Sequence, residues 1–147
     1  GNPSASGRVH ATMNEKRIHK LDPLRRREDL FAFEGDPAAT LALVSWGSSA
    51  GVCREAWQRA TAAGLRVKLL VPKLLFPVAE DVYRRFFANV EAGLVVEQSH
   101  LGQFYRVLRM YVDVPGGVVP FCRSGANPFQ PDEILAGLRE QIRALQG

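Results

Sequence analysis

The run Thr40–Trp46 (TLALVSW), followed at once by Gly47-Ser48-Ser49 and then a helical pattern, constrains this chain more than any other feature. A strand without polar alternation is one covered on both faces. The helix that follows spans Ala50–Ala63, with Val52, Ala56, Ala60 and Ala63 on one face, and Gly64 ends it. The same unit then recurs. Leu65–Val71 (LRVKLLV) precedes a helix over Ala79–Asn89 with Val82, Phe86 and Val90 in line. Gly93–Glu97 precedes a helix over His100–Val112, and Val118–Phe121 precedes a last helix opened by Pro131, with Ile134, Leu138, Ile142 and Leu145 as its stripe. A short apolar run, Leu30–Phe33, stands in front and is closed by the turn Gly35-Asp36-Pro37. Strands alternating with helices imply parallel pairing and a three-layer α/β/α sandwich.

At 147 residues the chain has the size of one domain and can bury a core without disulfides or metal. Residues 1–13 read as a flexible linker, and 14–147 as a single domain carrying a basic N-terminal helical arm. Asn14 is the expected cap of that helix, over residues 15–22. The start on small polar residues, without Met, suggests a piece of something longer, and no signal peptide is expected. No apolar run approaches the roughly 20 residues of a membrane helix. Cys53 and Cys122 stand far apart, with no C-x-x-C, so ligand sets for zinc or iron–sulfur clusters are not expected here. Lone thiols fit a cytoplasmic setting.

The net charge of +4 is unevenly placed. Residues 1–27 carry seven basic and two acidic side chains, a net +5, which leaves −1 for the rest. A basic arm on a neutral body suits docking against an acidic neighbour and argues against nucleic-acid binding, which uses a basic face with stacking aromatics.

Three segments could carry function. Gly47-Ser48-Ser49 follows a strand and opens a helix, where free N–H groups attract anions; the plain alternative is that Ser48 or Ser49 caps the helix. Gly47 to Gly51 also matches G-x-S-x-G with Ser49 as nucleophile, but no oxyanion loop precedes it and no acid stands in register, so a hydrolase is not favoured. Glu97-Gln98-Ser99-His100 ends a strand, where ligands of parallel sheets gather. Glu97 and His100 could relay a proton, or Ser99 could cap while the other two make local hydrogen bonds. Leu74-Leu75-Phe76, between Pro72 and Pro77, must fold back on the core or meet a partner.

Several stretches taken in order resemble the carboxy-terminal domain of the alpha subunit of 2-oxoacid:ferredoxin oxidoreductases, the 2-oxoglutarate type in particular. They are Glu15-Lys16-Arg17…Lys20-Leu21, Val44-Ser45-Trp46-Gly47-Ser48…Gly51…Arg54-Glu55-Ala56, Leu69-Leu70-Val71-Pro72…Pro77, Val96-Glu97-Gln98…His100…Gly102-Gln103 and Asn127-Pro128-Phe129…Pro131…Glu133-Ile134. The chain departs from the pattern at Ser99, where Asn is expected, and at His19, where Arg is expected. The resemblance implies a transketolase C-terminal-like fold, with a five-stranded sheet of order 1-3-2-4-5 and an antiparallel first strand. It places thiamine diphosphate, Mg²⁺ and iron–sulfur clusters in other domains or subunits of an enzyme that converts a 2-oxoacid to an acyl-CoA and passes electrons to ferredoxin. Coenzyme A would be a substrate of that complex. The implied partners are the pyrimidine-binding domain of the same subunit and the beta subunit. No catalytic residue carries over onto this segment, and the implied role is assembly. The alternative reading is a module that binds a small anion between the Gly47–Ser49 turn and Glu97–His100.

Overall fold

The computed structural model describes residues 5–146. Five strands form one sheet: β1 (Phe31–Glu34), β2 (Leu41–Ser45), β3 (Val67–Pro72), β4 (Ala92–Glu97) and β5 (Gly117–Cys122). Their spatial order is β1-β3-β2-β4-β5. β1 runs antiparallel to β3, with Phe31 opposite Pro72, and the other neighbours are parallel. Order and direction match the expected sheet.

The strands alternate two inward faces, and each face has its own core. Ala42 and Val44 of β2, Leu70 of β3 and Val95 of β4 pack with Val82, Tyr83 and Phe86 of α3 (Glu80–Phe87) and with Phe104 and Leu108 of α4 (Gln103–Tyr111). Leu43, Leu69 and Leu94, one residue out of phase, pack on the opposite face. Their partners are Cys53, Ala56 and Ala60 of α2 (Ser49–Ala62) and Ile134 and Leu138 of α5 (Pro131–Gln146). The strand period of two therefore feeds both layers, which is why β2, β3 and β4 read as unbroken apolar runs. Gly137 lets α5 approach closely, since a Cβ there would sit 3.1 Å from Leu94 and Phe121.

The amino-terminal arm differs from the expectation. Helix α1 runs Gly7–His19, so residues 7–13, expected as linker, are helical, and the helix ends before residue 22. Residues 1–4 of that stretch lie outside the described residues. Asn14 sits inside the helix, its amide 3.4 Å from His10 Nδ1, and so is not the cap. None of α1 is buried, so no apolar stripe marked its start. Two 3₁₀ turns, Asp22–Arg26 and Glu28–Leu30, lead from it into β1. The Arg25 guanidinium fixes this root to the body, donating to the Val78 carbonyl (3.3 Å) and to Glu80 (3.2 Å).

Candidate functional site

The sheet order reverses between β2 and β4. α2 leaves β2 toward one face and α4 leaves β4 toward the other, so the carboxyl ends of these two adjacent strands form the natural crevice of the fold. Ser45 stands opposite Val96 there, and its buried hydroxyl donates to the Val96 carbonyl at 3.0 Å. The Gly47–Ser49 and Glu97–His100 turns are thereby brought side by side.

The first turn is open. Gly47 adopts φ 59°, a left-handed conformation that lets the chain leave β2 sharply. Ser48 takes helical backbone angles (φ −65°, ψ −24°) at the start of α2, and its hydroxyl makes no capping hydrogen bond. Ser49 is buried as the first helical residue. The expectation that Ser48 caps α2 is therefore not met, because a capping serine needs an extended backbone to reach back over the first turn.

The second turn is closed by its own side chains. Glu97 is 1% exposed. Its carboxylate accepts the Phe104 N–H and the Tyr105 N–H, both at 3.0 Å. These are donors of the first turn of α4, which otherwise have no intrahelical acceptor. Ser99 Oγ accepts the Gly102 N–H at 3.1 Å and the Gln103 N–H at 3.3 Å. The helix consequently starts at Gln103 rather than at His100, after Gly102 turns the chain at φ 63°. Gln98 donates to the carbonyls of Gly125 (2.6 Å) and Asn127 (3.2 Å), tying this turn to the loop after β5.

His100 points away from Glu97 in its bonding. Its Nδ1 lies 2.6 Å from Ser124 Oγ, on the exposed rim. Glu97 works beneath α4 and His100 works on the β5–α5 loop, so the arrangement favours the local-bond reading over a proton relay. The nucleophile-elbow reading of Ser49 also finds no support. Such an elbow holds its serine in a strained turn, whereas among the described residues every positive φ belongs to glycine. The Leu74–Phe76 loop divides: Leu74 and Leu75 fold back onto the core, while Phe76 stays 58% exposed against Tyr111, ring centroids 6.3 Å apart.

Three residues escaped sequence reasoning. Ser124 had no local pattern to single it out. Trp46 keeps a buried Nε1 without an acceptor among the described residues, beside Phe104. Lys68 was visible as a cation inside the apolar run LRVKLLV, and it is 4% exposed. Cys53 is on the inner face of α2, where burial pushes its thiol up to about 12.

Among the described residues no three His, Cys, Asp or Glu side chains are placed to share an ion. No described helix is long and apolar enough to cross a membrane.

No protein-family model matches the chain. It is 30% identical over 102 residues to the 2-oxoacid:ferredoxin oxidoreductase 2 alpha subunit of Aeropyrum pernix, which covers 67% of this chain and 16% of that protein. It is 24% identical over 137 residues to the corresponding alpha subunit of Saccharolobus solfataricus, covering 89% and 21%. Among solved structures, 2-oxoglutarate:ferredoxin oxidoreductase from Magnetococcus marinus superposes with a TM-score of 0.86 at 34% identity, over 97% of this chain and 25% of that one. A split-gene transketolase matches at 0.60 and 15% identity, over 77% of this chain and 41% of that one, which speaks for the fold alone. The chain thus spans a quarter or less of the length of these two alpha subunits and of the Magnetococcus marinus chain. Sequence and fold together make it a relative of one segment of the alpha subunit of 2-oxoacid:ferredoxin oxidoreductases.

Proposed function

We propose that this domain is a non-catalytic assembly module of a 2-oxoacid:ferredoxin oxidoreductase, corresponding to the carboxy-terminal domain of the alpha subunit. The parent reaction would be oxidative decarboxylation of a 2-oxoacid, 2-oxoglutarate in the first instance, to an acyl-CoA, with electrons delivered to ferredoxin. Thiamine diphosphate, Mg²⁺ and iron–sulfur clusters would then be held by other domains or subunits.

One observation carries the reading. At the crevice where a ligand would sit, Glu97, Gln98, Ser99 and His100 are all engaged within the chain. Glu97, Gln98 and Ser99 are spent on positioning backbone, and His100 is turned to Ser124 rather than toward Glu97 as a relay would need. The contact-forming features lie elsewhere, in the exposed Phe76 of the β3–α3 loop and in the basic arm, whose helix buries nothing of its own. A helix that buries nothing and leaves Val9, Met13 and Ile18 exposed among its basic residues suits a contact with another body. Residues 14–147 would form the domain, and α1 its arm toward the pyrimidine-binding domain or the beta subunit, in a cytoplasmic complex.

The reading is tested by co-expressing the full alpha and beta subunits and measuring assembled complex by size-exclusion chromatography. Phe76→Asp, and separately Arg17→Glu with Lys20→Glu, are expected to reduce recovery of the complex severalfold while the domain stays folded by circular dichroism. Full assembly in both variants contradicts the proposal.

A further inference from the structure

Away from the strand carboxyl ends, the antiparallel edge of the sheet carries a groove of about 190 Å³ between β1, β3 and α3. Its walls are Phe33, Val82 and Phe86; β3 borders it at Leu69, whose side chain packs on the opposite face of the sheet, and Gly35 stands at its rim. Its exposed lining is close to wholly apolar, and three charged residues border it: Lys68, Glu34 and Arg85. Lys68 enters it from β3 and is 4% exposed. Its ammonium donates to Asn89 Oδ1 at 2.6 Å and to the Pro37 carbonyl at 3.1 Å, and it stands 5.1 Å over the Phe86 ring.

The charges around it are already matched. Glu34 holds Arg54 at 2.6 Å, Asp36 holds Arg66, and Arg85 holds Glu28. Lys68 forms no ion pair among the described residues, and its charge is met by two neutral oxygens and the Phe86 ring. Buried charges are ordinarily paired, since water no longer solvates them. Desolvation lowers the Lys68 pKa, against a smaller opposing pull from Asp36. An apolar pocket with a few convergent polar groups is the usual form of a small-molecule site. An apolar cavity of about 150 Å³ admits benzene, so this groove has room for one ring and a small polar group.

We propose that this groove binds a small apolar monocarboxylate, with its ring or branched chain against Phe33, Val82 and Phe86 and its carboxylate on Lys68. The backbone supports that arrangement. Gly35 takes φ 90°, and a Cβ there would lie 2.5 Å from the Val67 carbonyl, so this glycine keeps the turn that brings Pro37 over Lys68. The site lies at the sheet edge and owes nothing to the strand-end crevice or to the assembly role.

The test is an amide-resolved NMR titration of the whole chain with phenylacetate and, in parallel, with neutral phenylacetamide. Phenylacetate is expected to shift the amides of Gly35, Leu69 and Phe86 and to bind at least tenfold more tightly than the amide. Lys68→Met is expected to remove that preference and Lys68→Arg to keep most of it, with folding of both followed by thermal melting. The unsubstituted comparison stands even if a variant fails to fold. Equal affinity for acid and amide, shifts confined to the basic arm, or ligand-free shifts of the same amides on concentrating the protein would each overturn the proposal, the last by naming a second copy as the occupant.

Discussion

The two helices that begin at the reversal point of the sheet begin in opposite ways. α4 starts on a buried carboxylate: Glu97 accepts the Phe104 and Tyr105 N–H groups, and Ser99 accepts two more just before them. α2 starts one strand away with Ser48 already helical and no capping side chain. The positive end of a helix attracts negative charge wherever it is free to do so. At α4 that attraction is satisfied within the chain; at α2 no side chain of the turn takes it up. Adjacency in the sequence made Glu97 and His100 look like partners, yet the helix start claims one and the β5–α5 loop claims the other.

The contrast can be broken in several places. The two thiols report on the two helix starts, since Cys53 lies one turn into α2 and Cys122 Sγ lies 3.7 Å from the Cβ position of Gly102. With burial pushing Cys53 up to about 12, the thiolate is scarce at pH 8. Iodoacetamide alkylation followed by mass spectrometry is expected to modify native Cys53 at least about a hundredfold more slowly than the unfolded chain. Comparable rates would show that the α2 layer opens freely. Next in size, Glu97→Ala leaves one buried and one part-buried N–H group unpaired and is expected to cost about 3 kcal/mol in urea unfolding. Glu97→Gln retains one acceptor oxygen and should cost about half as much; a neutral outcome for both would remove the cap from the account. In the opposite direction, Ser48→Asp should stabilise by about 0.5–1 kcal/mol, because it supplies charge to a helix start that lacks it. Ser49→Ala closes the series with a change within about 0.5 kcal/mol, as expected for a hydroxyl that caps nothing. A loss of several kcal/mol at Ser49 would mean that the two helix starts are alike after all.

Much of the architecture was legible because β2, β3 and β4 are covered on both faces, and continuous burial writes itself as continuous apolar sequence. α3 and α5 were legible by their apolar stripes, and α5 also by Pro131 at its first position. α1 was misplaced because nothing on it is buried, so Asn14 offered a false start. The start of α4 was misplaced because its cap lies seven residues upstream of the amide it serves, at Glu97, and a cap of that reach has no local spacing rule. The candidate site was legible as two turns but not as a set of bonds. Ser124 and the carbonyls of Gly125 and Asn127 come from a loop that only the parallel pairing of β4 with β5 brings near. Lys68 lay in plain view inside an apolar run, and its meaning needed the groove around it.

The most direct measurement of the central claim is turnover per assembled complex. In the complex proposed above, a full alpha subunit carrying Ser49→Ala with His100→Ala, assembled with the proposed beta subunit and cofactors, would be assayed for 2-oxoacid- and coenzyme A-dependent reduction of ferredoxin. An unchanged kcat in complex of normal size is the expected result. A tenfold or greater loss of kcat, with assembly intact, would place these residues in the chemistry and contradict the account.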